Sequence, residues 1–149
     1  MSAEQTIPII PRKVLFGNPD KIQARLSPDG SHIAFLAPLN GVLNVWVAPR
    51  ENPDAARPVT RDTGRGIRVF FWAYTSKHIL YVQDRNGDEN WRIYSVDLTA
   101  DHTRDLTPLE GVQAHIYRVS YKLPTEILIG LNDRDPKLHD VYRLHIETG

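Results

Sequence analysis

Short apolar runs, separated by Gly, Pro, Asn and Asp, follow one another along the chain from about residue 22 onward. No long stretch carries the i, i+3, i+4, i+7 spacing of an amphipathic helix. The runs are rich in β-branched and aromatic residues: HIAFLA, NVWVA, IRVFFWAY, HILYVQ, WRIYSVDL, HIYRVSY, EILIGL and DVYRLHI. Short strands at this regular spacing predict an all-β fold.

The strand-like runs repeat with a period of about 48 residues. Two sets of positions carry the repeat. They are Ile33-Ala34-Phe35, Ile79-Leu80-Tyr81 and Ile127-Leu128-Ile129, and then Val45-Trp46, Ile93-Tyr94 and Val141-Tyr142. Each unit holds about four strands, which is typical of the blades of a β-propeller. The sequence therefore predicts a partial β-propeller of about three four-stranded antiparallel blades, the third of them incomplete.

The repeat also predicts the organisation of the chain. Residues 1–20 form an N-terminal arm, and residues 21–149 form the propeller fragment. Blade 1 covers about residues 21–62, blade 2 about 65–110, and blade 3 about 113–149 without its last strand. Within the blades, the successive strands A to D are expected at 22–26, 31–37, 43–48 and 57–60, at 67–74, 77–83, 91–98 and 103–107, and at 115–121, 126–131 and 139–146.

Two or three blades do not close a ring, since propellers have about four to eight. We therefore expect the chain to be a piece of a longer protein. The alternative is a ring completed by several copies. Open strand edges and an uncovered apolar blade face would favour self-association in either case.

Composition narrows the functional classes. The chain has 149 residues, of which 41% are hydrophobic and 24% are charged, as in ordinary globular domains. Eighteen basic and eighteen acidic residues give zero formal net charge, which argues against nucleic acid as a partner. The absence of cysteine excludes disulfides and thiolate metal sites. Without a secretory signal pattern or a long apolar segment, we expect a cytoplasmic protein that makes no membrane contact.

Two segments carry a resemblance to a known family. Residues 26–35, LSPDGSHIAF, resemble the repeat of TolB-type propellers, and residues 71–91, FWAYTSKHILYVQDRNGDENW, are more specific. The second segment is similar to the N-terminal propeller of prolyl-oligopeptidase-family serine peptidases, especially the acylaminoacyl-peptidase and dipeptidyl-peptidase-like branches. The resemblance covers about residues 12–149.

The resemblance implies a role in peptide hydrolysis. In that family the propeller gates and orients short peptides for a hydrolase domain that carries a Ser-Asp-His triad. No serine of this chain lies in a G-x-S-x-G motif, so no catalytic residue is assigned and the chain alone should be inactive as a peptidase. The implied partners are the hydrolase domain of the parent chain and short peptides, and no cofactor is implied. The alternative is a non-catalytic TolB-like propeller that binds a protein partner.

Strand alternation places the B–C and D–A loops on one face of the blades. Relatives turn this face, in an early blade, toward the hydrolase, and an arginine there holds the peptide. The resemblance therefore makes Arg85, Glu89, Asn90 and Arg92, at the B–C loop of blade 2, candidates for substrate or interdomain contact. The alternative is that these are charged loop residues that contact only water.

No metal site is predicted. Asp84, Asn86 and Asp88 alternate like the first ligands of a calcium loop, but its sixth and twelfth positions hold Glu89 and Ser95 instead of Gly and Glu. The dipeptide Asn86-Gly87 instead favours a tight hairpin turn. Among the histidines, His32 and His78 share a repeat position and a structural role. His139 and His145 would lie about 20 Å apart on one strand.

Overall fold

Three antiparallel sheets follow one another along the chain in the computed structural model, which describes residues 9–16 and 20–149. The first sheet contains β1 (Ile22–Leu26), β2 (His32–Leu39), β3 (Val42–Pro49) and β4 (Arg57–Pro58). The second contains β5 (Phe70–Trp72), β6 (His78–Gln83), β7 (Arg92–Asp97) and β8 (His102–Asp105). The third contains β9 (Ala114–Ser120), β10 (Leu123–Asp135) and β11 (Leu138–His145), in the order β11-β10-β9.

The prediction of an all-β partial propeller is confirmed. Each sheet is a meander in which consecutive strands pair, and the third sheet has three strands in the described part of the chain. The sheets do not close a ring. Two short helical turns, α1 (Arg12–Phe16) and a 3-10 turn (Pro53–Ala55), accompany the sheets. Neither helical turn in the described residues has the length or the hydropathy to cross a bilayer. Residues 1–8 and 17–19 of the expected N-terminal arm lie outside the described residues.

The bounds of two strands differ most from those expected. The strand β10 runs over 13 residues, because it begins at Leu123, at the expected turn, and continues to Asp135, four residues past its expected end. Its pairing with β9 shifts register between Leu123 and Ile127. An irregularity of this kind accommodates a proline, which has no N–H to donate to the ladder. The strand β5 begins only at Phe70, because the backbone N–H of Ile67 donates to Leu43 of the first sheet at 2.8 Å.

Two apolar clusters lie between successive sheets and use alternate faces of the second sheet. Ile79 and Tyr81 of β6 pack toward the first sheet, against residues such as Leu36 and Val45. Leu80, between them in sequence, packs toward the third sheet. Because side chains alternate along a strand, β6 buries both of its faces, and all three of these residues are at most 7% exposed.

The third sheet has one uncovered apolar face. Ile127 and Ile129 of β10 face the second sheet and are buried, whereas Leu128 between them points away and is 40% exposed. Tyr117 and Val141 are exposed beside it. This is the face on which a further blade would pack in a propeller.

A tight turn joins the first two strands of the first sheet. Asp29 accepts hydrogen bonds from the Ser27 hydroxyl at 2.6 Å and from the Ser31 backbone N–H at 3.0 Å. These bonds, with the Ser27 hydroxyl as the larger cause, lower the pKa of Asp29 to about 2. Gly30 completes the turn at a φ of 72°, which a glycine adopts without strain.

Leu80 and Leu128 provide a matched test of packing between blades, because they occupy equivalent positions of the repeat. We expect Leu80→Ala to lower the free energy of unfolding by about 2–5 kcal/mol, since it opens a cavity between two sheets. Leu128→Ala should change it by less than about 1 kcal/mol. Urea denaturation followed by circular dichroism measures both values, and equal losses would contradict this account of the core.

Candidate functional site

The B–C and D–A loops lie together at one end of the three sheets, here called the loop face. Its loops comprise residues 40–41, 84–91 and 136–137 between second and third strands, and 59–69 and 106–113 between sheets. Backbone hydrogen bonds tie the start of each new sheet to the sheet before it: Ile67, before β5, donates to Leu43 of β3 at 2.8 Å, and Ala114 of β9 donates to Trp91, just before β7, at 2.8 Å. The first strand of each new sheet is thus fixed to the third strand of the sheet before it.

Loop 84–91 has a turn at its tip. Asn86 and Gly87 both have positive φ, 54° and 85°, and the N–H of Asp88 donates to the carbonyl of Arg85 at 3.1 Å. These are features of the type I′ turn that the Asn-Gly dipeptide favours. The flanking strands end at Gln83 and restart at Arg92, so the turn stands on a longer loop and projects from the sheet.

The carboxylate of Asp88 stabilises loop 84–91. It accepts hydrogen bonds from the backbone N–H groups of Arg85 and Asn90, both at 3.1 Å. Desolvation acts to raise its pKa, but these backbone donors hold the pKa of Asp88 below its usual value. Among the described residues no three His, Asp or Glu side chains come together to hold a metal ion.

An ion pair ties loop 84–91 to the preceding D–A loop. Asp84 has a buried side chain, and its Oδ2 lies 3.3 Å from Nη1 of the more exposed Arg65. The guanidinium of Arg65 also lies against Gly87, where a Cβ atom would meet it. Glycine suits this position because of the positive φ of the turn, and a Cβ atom would also require the Arg65 side chain to move.

Arg92 is buried at the start of β7, with 3% of its surface exposed. Its guanidinium donates to Asp105 Oδ2 at 3.0 Å and to Glu110 Oε1 at 2.8 Å. Arg85, which is 56% exposed, lies 3.8 Å from Asp105 and 3.7 Å from Glu110. The two arginines and two carboxylates form one cluster, here called the Arg92 cluster, which joins loop 84–91 to loop 106–113.

Arg92 has a counterpart in the first sheet. Asn44 occupies the equivalent repeat position and is fully buried. Its Oδ1 accepts hydrogen bonds from the Thr60 hydroxyl at 2.9 Å and from the Asp62 backbone at 2.7 Å. In both sheets, therefore, a buried polar side chain at the start of the third strand binds the D–A loop that leads to the next sheet.

The sequence-predicted site residues lie in two environments. Arg85, Glu89 and Asn90 are solvent-accessible on loop 84–91. Glu89 has a φ of 59°, and its carbonyl accepts a hydrogen bond from Gln113 Nε2 at 3.0 Å. Arg92, by contrast, points into the ion-paired cluster. A contact between any of the four and a peptide or another domain stays a prediction.

Sequence reasoning missed the acidic half of the Arg92 cluster. Asp105 and Glu110 lie 13 and 18 residues after Arg92, at separations that no short motif marks. It also missed the contact of His115 with His139, whose ring centroids are 4.7 Å apart across the third sheet. The equivalence of Arg92 with Asn44 in the repeat was the available signal for burial.

The shared structural role expected for His32 and His78 agrees with their hydrogen bonds. Nδ1 of His32 lies 2.7 Å from the Ser31 hydroxyl, and Nδ1 of His78 lies 2.9 Å from the Thr75 hydroxyl. Both histidines stand at the start of the second strand of their sheet and bind the turn before it.

Comparison with known proteins identifies homologues. No protein-family model matches the chain. Dipeptidyl aminopeptidase BIII of Pseudoxanthomonas mexicana is 46% identical over 141 residues. Dipeptidyl peptidase family member 6 of Caenorhabditis elegans is 36% identical over 149 residues. Each match covers 95% of this chain but 20% of the relative, so the chain spans about a fifth of their length.

The fold also matches solved propellers. The β-propeller domain of the Trilobed protease from Pyrococcus furiosus gives a TM-score of 0.62 at 19% identity, over 85% of this chain and 41% of that one. Fold and repeat define the class: the chain is a portion of a TolB-like β-propeller. Its homologues are a dipeptidyl aminopeptidase and a dipeptidyl peptidase family member, and it matches the N-terminal propeller of a prolyl-oligopeptidase-family peptidase.

Adding one methyl group at the turn of loop 84–91 should lower the stability of the chain. Gly87→Ala should lower the free energy of unfolding by about 1–2 kcal/mol, because alanine is strained at positive φ and its methyl group displaces Arg65 from Asp84. Gly64→Ala is the control, since Gly64 lies in the adjacent loop with its nearest neighbour, Asp62 Oδ1, 3.9 Å from the Cβ position. Thermal unfolding of both variants measures the difference, which should be absent if the turn is loose.

The two arginines of the Arg92 cluster should differ in their contribution to stability. Arg92→Leu leaves the partly buried Asp105 without its closest cation, and we expect a loss of about 3 kcal/mol. Arg85→Leu removes an exposed charge at longer distance and should cost less than about 1 kcal/mol. Denaturant unfolding measures both, and a similar small loss for the two variants would show that the Arg92 pairs add little.

Proposed function

We propose that this chain is the propeller portion of a prolyl-oligopeptidase-like serine peptidase, and that its loop face orients short peptides for a hydrolase domain of the same parent chain. Homology to dipeptidyl aminopeptidases supports the peptidase assignment. The observation that carries the orienting role is the projecting loop 84–91, which presents exposed polar side chains on a base tied to both neighbouring D–A loops.

Three kinds of group on this loop suit a peptide. A guanidinium such as that of Arg85 donates in a fixed fork to a carbonyl or carboxylate. A carboxylate such as that of Glu89 accepts from a peptide amine or pairs with its charge. Asn90 offers a donor and an acceptor beside them. The same groups would serve a contact with the hydrolase domain.

Arg92 would act differently, as a positioning residue. It is buried and occupied by Asp105 and Glu110, so in this arrangement it does not reach a peptide. Its role in the proposal is to hold loops 84–91 and 106–113 in a fixed relation. Pre-organised loops lose less conformational freedom when a ligand binds, which favours affinity.

The proposal is tested in the full-length parent enzyme with short peptide substrates. Arg85→Ala should lower kcat/KM by about tenfold, the factor that corresponds to 1.4 kcal/mol of lost interaction. The control is Arg50→Ala. Arg50 follows β3 on the opposite side of the blade and has a similar exposure, 58% against 56% for Arg85. The 149-residue chain alone should have no peptidase activity.

Three outcomes would contradict the proposal. Turnover by the 149-residue chain would place catalysis within it. An unchanged kcat/KM in both Arg85→Ala and Glu89→Ala would show that neither side chain contacts the substrate. A parent chain that lacks a G-x-S-x-G segment followed by Asp and His would favour the non-catalytic, partner-binding propeller instead.

A further inference from the structure

A pocket of about 330 Å³ lies between the second and third sheets, at the end nearest the loop face. Val82 stands near the end of β6, beside loop 84–91, and Trp91 is the last residue of that loop. Phe71 of β5 and Ile116 of β9 complete the wall, from the first strands of two successive sheets. In a propeller the first strands lie nearest the central channel, so the pocket would open toward that channel.

The walls of this pocket are apolar and held in place. Phe71 and Ile116 pack against the buried cluster between the two sheets, so their inner sides are fixed. The guanidinium of Arg25 lies 5.6 Å from the ring of Phe71. Trp91 is anchored by the hydrogen bond from Ala114 to its carbonyl, at 2.8 Å. The pocket is open to solvent on one side, and its volume falls within the range, from about 300 Å³ upward, of small-molecule pockets.

The rim of the pocket carries one arginine and one histidine. Arg68 lines the pocket and is exposed, and among the described residues it takes part in no ion pair. Burial, and then the neighbouring charge of His139, lower the pKa of His115 below its usual value of 6.5. Near neutral pH the imidazole is therefore uncharged, and Arg68 is the cation among the residues that line the pocket.

We propose that this pocket binds an aromatic or branched aliphatic side chain with a free carboxylate beside it, which is the chemistry of the C-terminal residue of a short peptide. The apolar walls take the side chain, and the Arg68 guanidinium pairs with the carboxylate. The site is separate from the Arg92 cluster. It goes beyond the proposed role of the loop face, because it would bind its ligand whether or not a catalytic domain is present.

The test is a titration of the full 149-residue chain, followed by two-dimensional NMR. The probe is N-acetyl-L-phenylalanine, and we expect saturable shifts of the Trp91 indole N–H and the Ile116 amide with a Kd of about 1 mM. N-acetyl-L-phenylalaninamide, which lacks the negative charge, should bind about tenfold more weakly. N-acetylglycine, which lacks the side chain, should produce no saturable shift at these two residues.

A pair of arginine variants separates recognition from general charge effects. Arg68→Met should remove the preference for the acid over the amide while the spectrum keeps its dispersion. Arg118→Met, at an exposed position of β9 that does not line the pocket, should retain the preference. Arg68→Lys keeps the charge and should retain part of it. Because Arg68 and Arg118 are both exposed, neither substitution should disturb the core.

Several results would overturn the proposal. Shifts that do not saturate, or that map outside the pocket, would show that the walls are only a gap between blades. Equal affinity for the acid and the amide would show that the pocket does not recognise the carboxylate. Loss of the preference in Arg118→Met as well as in Arg68→Met would assign the effect to the overall charge of the surface.

Discussion

The burial of apolar sheet faces against neighbouring sheets is the constraint on which the rest of this structure depends. A strand presents two faces, and the second sheet satisfies both, with Ile79 and Tyr81 directed to one neighbour and Leu80 to the other. Roughly 1.5–3 kcal/mol accompanies the burial of each large apolar side chain, so these interfaces outweigh single polar contacts at the surface. The third sheet covers one face only, and its other face exposes Leu128 and Val141.

The polar contacts of the loop face hold the connections between the packed sheets in place. Once two sheets are stacked, the D–A connection must cross from the outer strand of one to the first strand of the next. Buried polar groups along that crossing need partners. Asn44 supplies them in the first sheet, and Arg92 supplies them in the second. The loops that carry the candidate site are therefore fixed by the same repeat that forms the core.

The fold was largely predictable from the sequence, because the alternation of apolar residues and the repeat are local or periodic signals. The turn at Asn86-Gly87 was predictable for the same reason, since its backbone preference belongs to two adjacent residues. The early start of β10, at Leu123, was not, because it depends on a register shift against β9. The pairing of Arg92 with Asp105 and Glu110 was not predictable either, since it requires the register of β8 and the path of the following loop.

The arrangement of charge around Arg92 bears on how the loop face could attract a ligand. Arg85 and Arg92 share the carboxylates of Asp105 and Glu110, all within 3.8 Å, so the cluster is close to neutral as a whole. The chain also has zero formal net charge. Long-range steering of a charged peptide needs an unbalanced field, and salt at physiological strength would screen a weak one within about 8 Å. Recognition at this face would therefore depend on short-range hydrogen bonds and shape, which require the fixed loop geometry that the buried arginine provides.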